Sequence, residues 1–298
     1  MTDFNSTFYY QVALPNLIIL KVIREQLEGV SNLLPHEVVA CFPLGYFLEN
    51  IAVRSNGTLL VTNMIVSQIF YVDPRDKDPE STIQLIHDFD TTSEAPPEDD
   101  EETGIYGSKN HAEAIVEHPR FGHLFYTFSG VHGKTWIEDE RLGKVTTWPS
   151  WPVLNGLEYF RGQIFGTVTD CGTLVKMQID ETGDYKSGSL EVVVNQMIGD
   201  DSAFDCEGCA YIATNPARTS LKFVQIATES PKGERLKILG GLDKKETAGP
   251  TALAFGSGEN DSDCIYVVTC GGVVNPIGDN EPGQALMANV RIGVRGEA

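Results

Sequence analysis

Short runs of apolar and β-branched residues, bounded by Gly, Asn, Asp and Pro, recur along most of the chain, a pattern of strands rather than helices. They come in one repeated phrase: a polar or small residue flanked by apolar ones, a Gly or Asp turn, then a strand of the type L-L-V-T or A-Y-I-A-T. The phrase occupies residues 48–62, 112–126, 154–168, 200–214 and 249–269. All-strand repeats spaced roughly forty to sixty residues apart read as propeller blades. The first repeat predicts strands at 50–53, 58–62, 68–72 and 82–89, and the second at 113–117 and 123–128. The third predicts 156–160, 163–168, 173–179 and 191–194; the fourth, 202–205, 210–214, 222–226 and 235–238. The fifth offers 252–255, 264–269 and 285–290 and lacks a fourth strand, which residues 37–42 can supply. The expected fold is all-β: a β-propeller of four-stranded antiparallel blades, five counted and six if residues 1–45 hold more strand, closed by an N-terminal strand.

In a propeller the first strand of each blade runs along a central channel, so the residues that open these strands converge at one mouth. Here they are Glu49, Asn50, Glu113, Asn155, Asp200, Asp201 and Thr251. Asp, Asn and Thr at strand starts commonly bond turn amides, but turn chemistry does not ask for two glutamates.

The remaining features narrow the function classes. A chain of 298 residues, 41% of them hydrophobic, buries a sizeable core, and one domain over 1–298 is expected. The 1–36 extension carries helical spacing over residues 17–27, and residues 91–110 form an acidic insertion containing E-A-P-P-E-D-D-E-E. A formal charge of −20 argues against nucleic-acid and anionic-membrane partners. No run is apolar and long enough to span a bilayer, and the N-terminus lacks a basic start and a small-residue cleavage site. A cytoplasmic protein is expected, or a secreted one if a leader has been removed; the sequons at Asn5, Asn56 and Asn260 matter only in the second case. Six cysteines are too few for a disulfide scaffold, and the C-x-x-C of Cys206 and Cys209 has no second ligand pair, so both read as small hydrophobes. A bridge from Cys264 or Cys270 to Cys41 or Cys171 stays open. No G-x-S-x-G elbow, phosphate-cradling Gly loop or H-E-x-x-H occurs.

The phrases F-L-E-N-I-A-V-R-S-N-G-T-L-L-V-T, L-N-G-L, D-D-S-A-F-D-C-E-G-C-A-Y-I-A-T-N-P, G-P-T-A-L-A-F-G and I-Y-V-V-T-C-G-G resemble the fungal branch of the senescence-marker-protein/gluconolactonase-like β-propellers. The resemblance covers most of residues 37–292, and the repeat it leads one to expect near residues 194–199 is missing. Lactonases of that family hold a divalent cation at the channel mouth. The resemblance places this role on Glu49, Asn155 and Asp200, with Glu113 where a further Asn is expected. That implies Ca2+ or Mg2+, with Asp201 or Glu113 as general base for lactone hydrolysis.

Within the family the chain is similar in style to the hetero-Diels–Alderases of tropolonic sesquiterpenoid pathways, which implies a cyclase without a cofactor. Such an enzyme pre-orients two apolar polyketide and terpene partners, a tropolone o-quinone methide and a humulene-type alkene. Asn50, Asn155, Tyr46, His111 and Thr251 are then the hydrogen-bond donors to the heterodiene ketone. Phe47, Trp148, Trp151 and Tyr159 are the apolar walls, with Glu113 and Asp201 also facing substrate. Trp148 and Trp151 flank Pro149 in a loop, whereas Tyr159 and Phe160 read first as blade-to-blade core. The cyclase is the leading expectation, the metal-dependent lactonase its alternative, and a non-catalytic binding propeller a third reading.

Overall fold

The computed structural model describes residues 33–88, 111–117, 124–129, 137, 139–142, 154–216, 219–223, 235–241, 244–277 and 281–297, the strands at 111–117, 124–129 and 219–223 by their backbone. The expected helix at 17–27, the acidic insertion and the tryptophan loop lie outside the described residues. The chain opens with β1 (His36–Leu44), then β2 (Leu48–Val53), β3 (Leu59–Asn63), β4 (Gln68–Val72) and β5 (Gln84–Asp88). Next come β6 (His111–Glu117), β7 (Leu124–Ser129), β8 (Leu154–Phe160), β9 (Gln163–Val168), β10 (Thr173–Gln178) and β11 (Glu191–Val194). The fourth repeat forms β12 (Ser202–Phe204), β13 (Ala210–Ala213), β14 (Thr219–Phe223) and β15 (Arg235–Gly240); the last, β16 (Pro250–Phe255), β17 (Cys264–Thr269) and β18 (Gln284–Arg291). Helix is confined to three 3-10 turns among the described residues.

These strands make four antiparallel four-stranded sheets and one pair, β6-β7. Three sheets are meanders: β2 to β5, β8 to β11 and β12 to β15. The other is β1-β18-β17-β16, in which β1 pairs antiparallel with β18 from His36 opposite Val290 to Leu44 opposite Gln284. The first strands are neighbours: β2 packs on β6 and β16, β16 on β12, and β12 on β8. Two-residue turns follow the residues present. Arg161 and Gly162, both at positive φ, join β8 to β9, the combination that matches the twist of paired strands and that Gly accepts without strain.

Apolar faces meet between sheets. Phe42, Leu48, Leu59, Val61, Phe70, Tyr266 and Met287 form one core cluster, joining the first sheet to the last. Phe165 and Phe204, 4.6 Å apart, fill the space between the third and fourth. Tyr211, Leu253, Ile265 and Val267 fill the next. At the fourth repeat's turn, the buried Asp205 accepts the N–H groups of Glu207 and Cys209 and the Tyr211 hydroxyl, all at 2.9 Å. That arrangement explains the D-C-E-G-C-A-Y phrase. All six cysteines are free thiols.

Candidate functional site

Every first strand is distorted near its start. Between β2 and β3 the partners step from Leu48–Asn63 to Ile51–Val61, one residue extra on β2 around Glu49 and Asn50. Between β8 and β9 they step from Leu154–Val168 to Leu157–Gly166, around Asn155 and Gly156. β6 has its extra residue at Glu113 and β16 at Thr251. Ahead of β12, Asp200 donates its N–H to Ala213 O while Ala213 donates its own to Asp201 O, two residues against one. Bulges re-aim side chains and leave backbone groups unpaired. The threonine of the repeated phrase answers the second problem: the N–H of Asn50 donates to Thr62 Oγ1 at 3.0 Å, and that of Gly156 to Thr167 Oγ1 at 2.9 Å.

The bulged residues form a belt of bonds from sheet to sheet. Thr251 donates its hydroxyl to Leu48 O at 2.6 Å, and Asp201 its N–H to Thr251 O at 3.2 Å. Gly156 also donates to Asp200 O at 3.0 Å, an oxygen the Thr167 hydroxyl bonds too. Asn50 Nδ2 reaches past the intervening sheet to Asp201 Oδ2 at 2.9 Å. Asn155 Nδ2 meets Asp200 Oδ1 at 2.6 Å and Thr169 Oγ1 at 3.2 Å.

Burial governs the electrostatics. It lifts the Asp201 carboxyl to about 6, against the opposing pull of the Ser202 N–H, 2.7 Å from Oδ1, and of the Asn50 amide. Burial also pushes the Cys270 thiol up to about 12, with the charges of Asp200 and Glu49 adding to the rise; Cys270 is therefore no nucleophile. Glu49 itself stands on the β2 bulge, next to Asn50.

The structure thus brings together Glu49, Asn50, Asn155, Asp200, Asp201 and Thr251. Tyr46 instead lies against the rings of Phe42 and Phe70, centroids 6.2 and 5.8 Å away, and Phe47 is buried, its N–H held by Asn63 Oδ1. His111 and Glu113 belong to β6, with side chains outside the described residues, as are Trp148 and Trp151. The expected core role of Tyr159 is overturned: it is 61% exposed, while Phe160 is buried. Missed by the sequence reading are Thr169, which braces Asn155, and Glu158, a lone acid in the apolar run L-E-Y-F and the only available signal for it. Among the described residues no three His, Cys, Asp or Glu side chains converge as metal ligands; a cation here needs the Asn155 amide oxygen as well.

No protein-family model matches the chain. No curated protein sequence matches it either. Solved structures do. The calcium-binding protein regucalcin from Agrobacterium tumefaciens aligns at a TM-score of 0.54 and 13% identity, covering 91% of this chain and 97% of its own. The fold is β-propeller-like. A pyrroloquinoline-quinone-bound aldose sugar dehydrogenase from Streptomyces coelicolor aligns at 0.51 with 12% identity, covering 86% and 98%. A gluconolactonase from Xanthomonas campestris aligns at 0.46 with 10% identity, covering 85% and 88%. At such identities the first two likenesses speak for architecture alone. No helix among the described residues is long and apolar enough to cross a membrane.

Proposed function

We propose that this chain is a hydrolase that opens a cyclic ester at the mouth formed by its bulged first strands, with a calcium or magnesium ion held by Glu49, Asn155 and Asp200. The observation that carries this reading is the meeting of the Asn155 amide with Asp200 Oδ1 across the seam between two sheets, 2.6 Å apart, with Glu49 on the bulge of β2. Two carboxylates and an amide are hard oxygen donors, the kind such ions take, so the residues present fit the group. The calcium-binding regucalcin of like fold supports it.

A bound ion of this kind polarises an ester carbonyl and acidifies water. The chain supplies the rest. Asn50 and the Ser202 N–H each fix one oxygen of Asp201, so the carboxylate has one orientation. With its carboxyl near 6, Asp201 is mostly ionised at neutral pH and still basic enough to take a proton from the attacking water. Thr169 braces the Asn155 amide by accepting from the same Nδ2 that donates to Asp200.

The second reading, a cofactor-independent hetero-Diels–Alderase, asks for donors directed at a substrate ketone. Asn155 places Nδ2 on Asp200 and Thr169, Asn50 donates to Asp201 and Thr251 to Leu48, so its best-placed donors serve the belt; the hydrolase reading is the better supported. Elemental analysis of the purified protein, with lactone opening followed before and after chelation, separates the two. Expected are about one calcium or magnesium per chain, activity lost on chelation, and metal lost in Glu49→Gln and Asp200→Asn. Asp201→Asn is expected to keep the metal and lose about 10²- to 10⁴-fold in turnover. A metal-free protein, indifferent to chelators, that sets the stereochemistry of a tropolone quinone methide–humulene adduct overturns the hydrolase reading.

A further inference from the structure

Two residues beyond Gly156 on β8, deeper in the molecule, stands Glu158, opposite Phe165 of β9. β8 and β12 run side by side in one direction: Gly156 bonds Asp200 at one end, and Phe160 stacks on Phe204 at the other, centroids 4.8 Å apart. Glu158 is therefore level with Ser202. Side chains two apart on a strand share a face, so both project into the seam that Phe160 and Phe204 enter. Asp201 lies above, and the Phe160, Phe165 and Phe204 cluster closes the seam below.

Two polar groups in this seam are idle. Among the described residues no hydrogen bond reaches the Glu158 carboxyl, and none reaches the hydroxyl of Ser202, a residue only 2% exposed. Burial, and after it the charge of Asp201, lifts Glu158 to about 8, so it holds its proton at neutral pH. A buried donor without an acceptor is costly.

Resting on the hydrolase reading, we propose that Glu158 is the proton donor to the departing ring oxygen. Water oxygen bonds to the carbonyl carbon and its proton passes to Asp201. The ring C–O bond breaks, its electron pair stays on the ring oxygen, and that oxygen takes the proton of Glu158. Return of the Asp201 proton to Glu158 restores the resting state with one water consumed.

Leaving-group dependence tests this. δ-Valerolactone departs as an alkoxide that needs a proton, dihydrocoumarin as a phenoxide that hardly does. Glu158→Gln has the shape of the neutral acid and is expected to fold, checked by its melting curve. With calcium present, it is expected to lose about 10²- to 10⁴-fold in kcat on δ-valerolactone and less than about tenfold on dihydrocoumarin, with Glu158→Asp recovering part of the loss. Equal losses on both lactones, or none, overturn the assignment while the hydrolase reading stands. If the unaltered protein opens neither lactone, both fall. Should the variant fail to fold, the unaltered protein decides alone: an acid at work predicts similar rates on the two lactones, and a rate on dihydrocoumarin that exceeds the other by 10²-fold or more refutes it.

Discussion

A methyl group on Gly156 would stand 2.5 Å from Asp201 Oδ1 and 2.7 Å from both Asp200 O and Asp201 Cα, closer than atoms tolerate, and two of those three are backbone. Gly156→Ala is thus expected to lower the unfolding free energy by about 1–3 kcal/mol in denaturant titrations and to weaken metal retention by parting Asn155 from Asp200. Glu158 gives a pH signature of its own. Its carboxyl is raised from 4.5 to about 8 in the fold, so the folded state holds the proton more tightly than the unfolded one. The stability this contributes is complete below 4.5 and is lost as pH rises through 8. Asp201, raised to about 6, acts in the same sense. Glu158→Gln keeps its proton equivalent at every pH, so its melting temperature relative to the unaltered protein is expected to climb between pH 5 and pH 9; a constant difference would show that Glu158 is not held neutral. Of these residues, Asn50, Asn155, Asp200 and Asp201 were legible because they open strands. Glu158 was not, because a single acid in an apolar run has no signal until the strand's neighbours are known.

Strands were legible from alternation, and most begin and end within two residues of expectation. β14 is an exception. The run F-V-Q-I drew the expectation to 222–226, yet the strand begins at Thr219, since pairing of Ala213 with Ser220 extends it backwards; residues 224–226 lie outside the described residues. Bulges were invisible: an inserted residue breaks alternation only for two or three positions, which a short strand cannot distinguish from noise. The bulge at Asn155 and Gly156 is also where alternation along β8 is broken, and beyond it Phe160 turns inward while Tyr159 turns out. β1 was legible as the missing fourth strand, and it contributes Ala40 and Phe42 to the core besides covering β18. A chain lacking residues 1–45 would leave β18 as an open edge. It is expected to unfold at lower denaturant and to scatter light in proportion to concentration; an unchanged midpoint in a non-associating truncation would show β1 to be dispensable.

At the scale of the molecule, the repeat period announced the architecture, because every sheet must cover its neighbour with the same apolar positions. The chemistry had no such redundancy. It depends on a few residues from separate sheets, linked by bulges and bonds that join positions as far apart as Asn50 and Asp201, 151 residues along the chain. The same long reach governs the sheet shared by the two ends of the fold, where His36 faces Val290. At translation speeds of 5–20 residues per second, β1 leaves the ribosome on the order of ten to fifty seconds before its partner exists. For that interval the nascent chain carries an unmatched apolar strand, and the last sheet is completed only after β18 has been synthesised, which makes β1 a natural client for a chaperone.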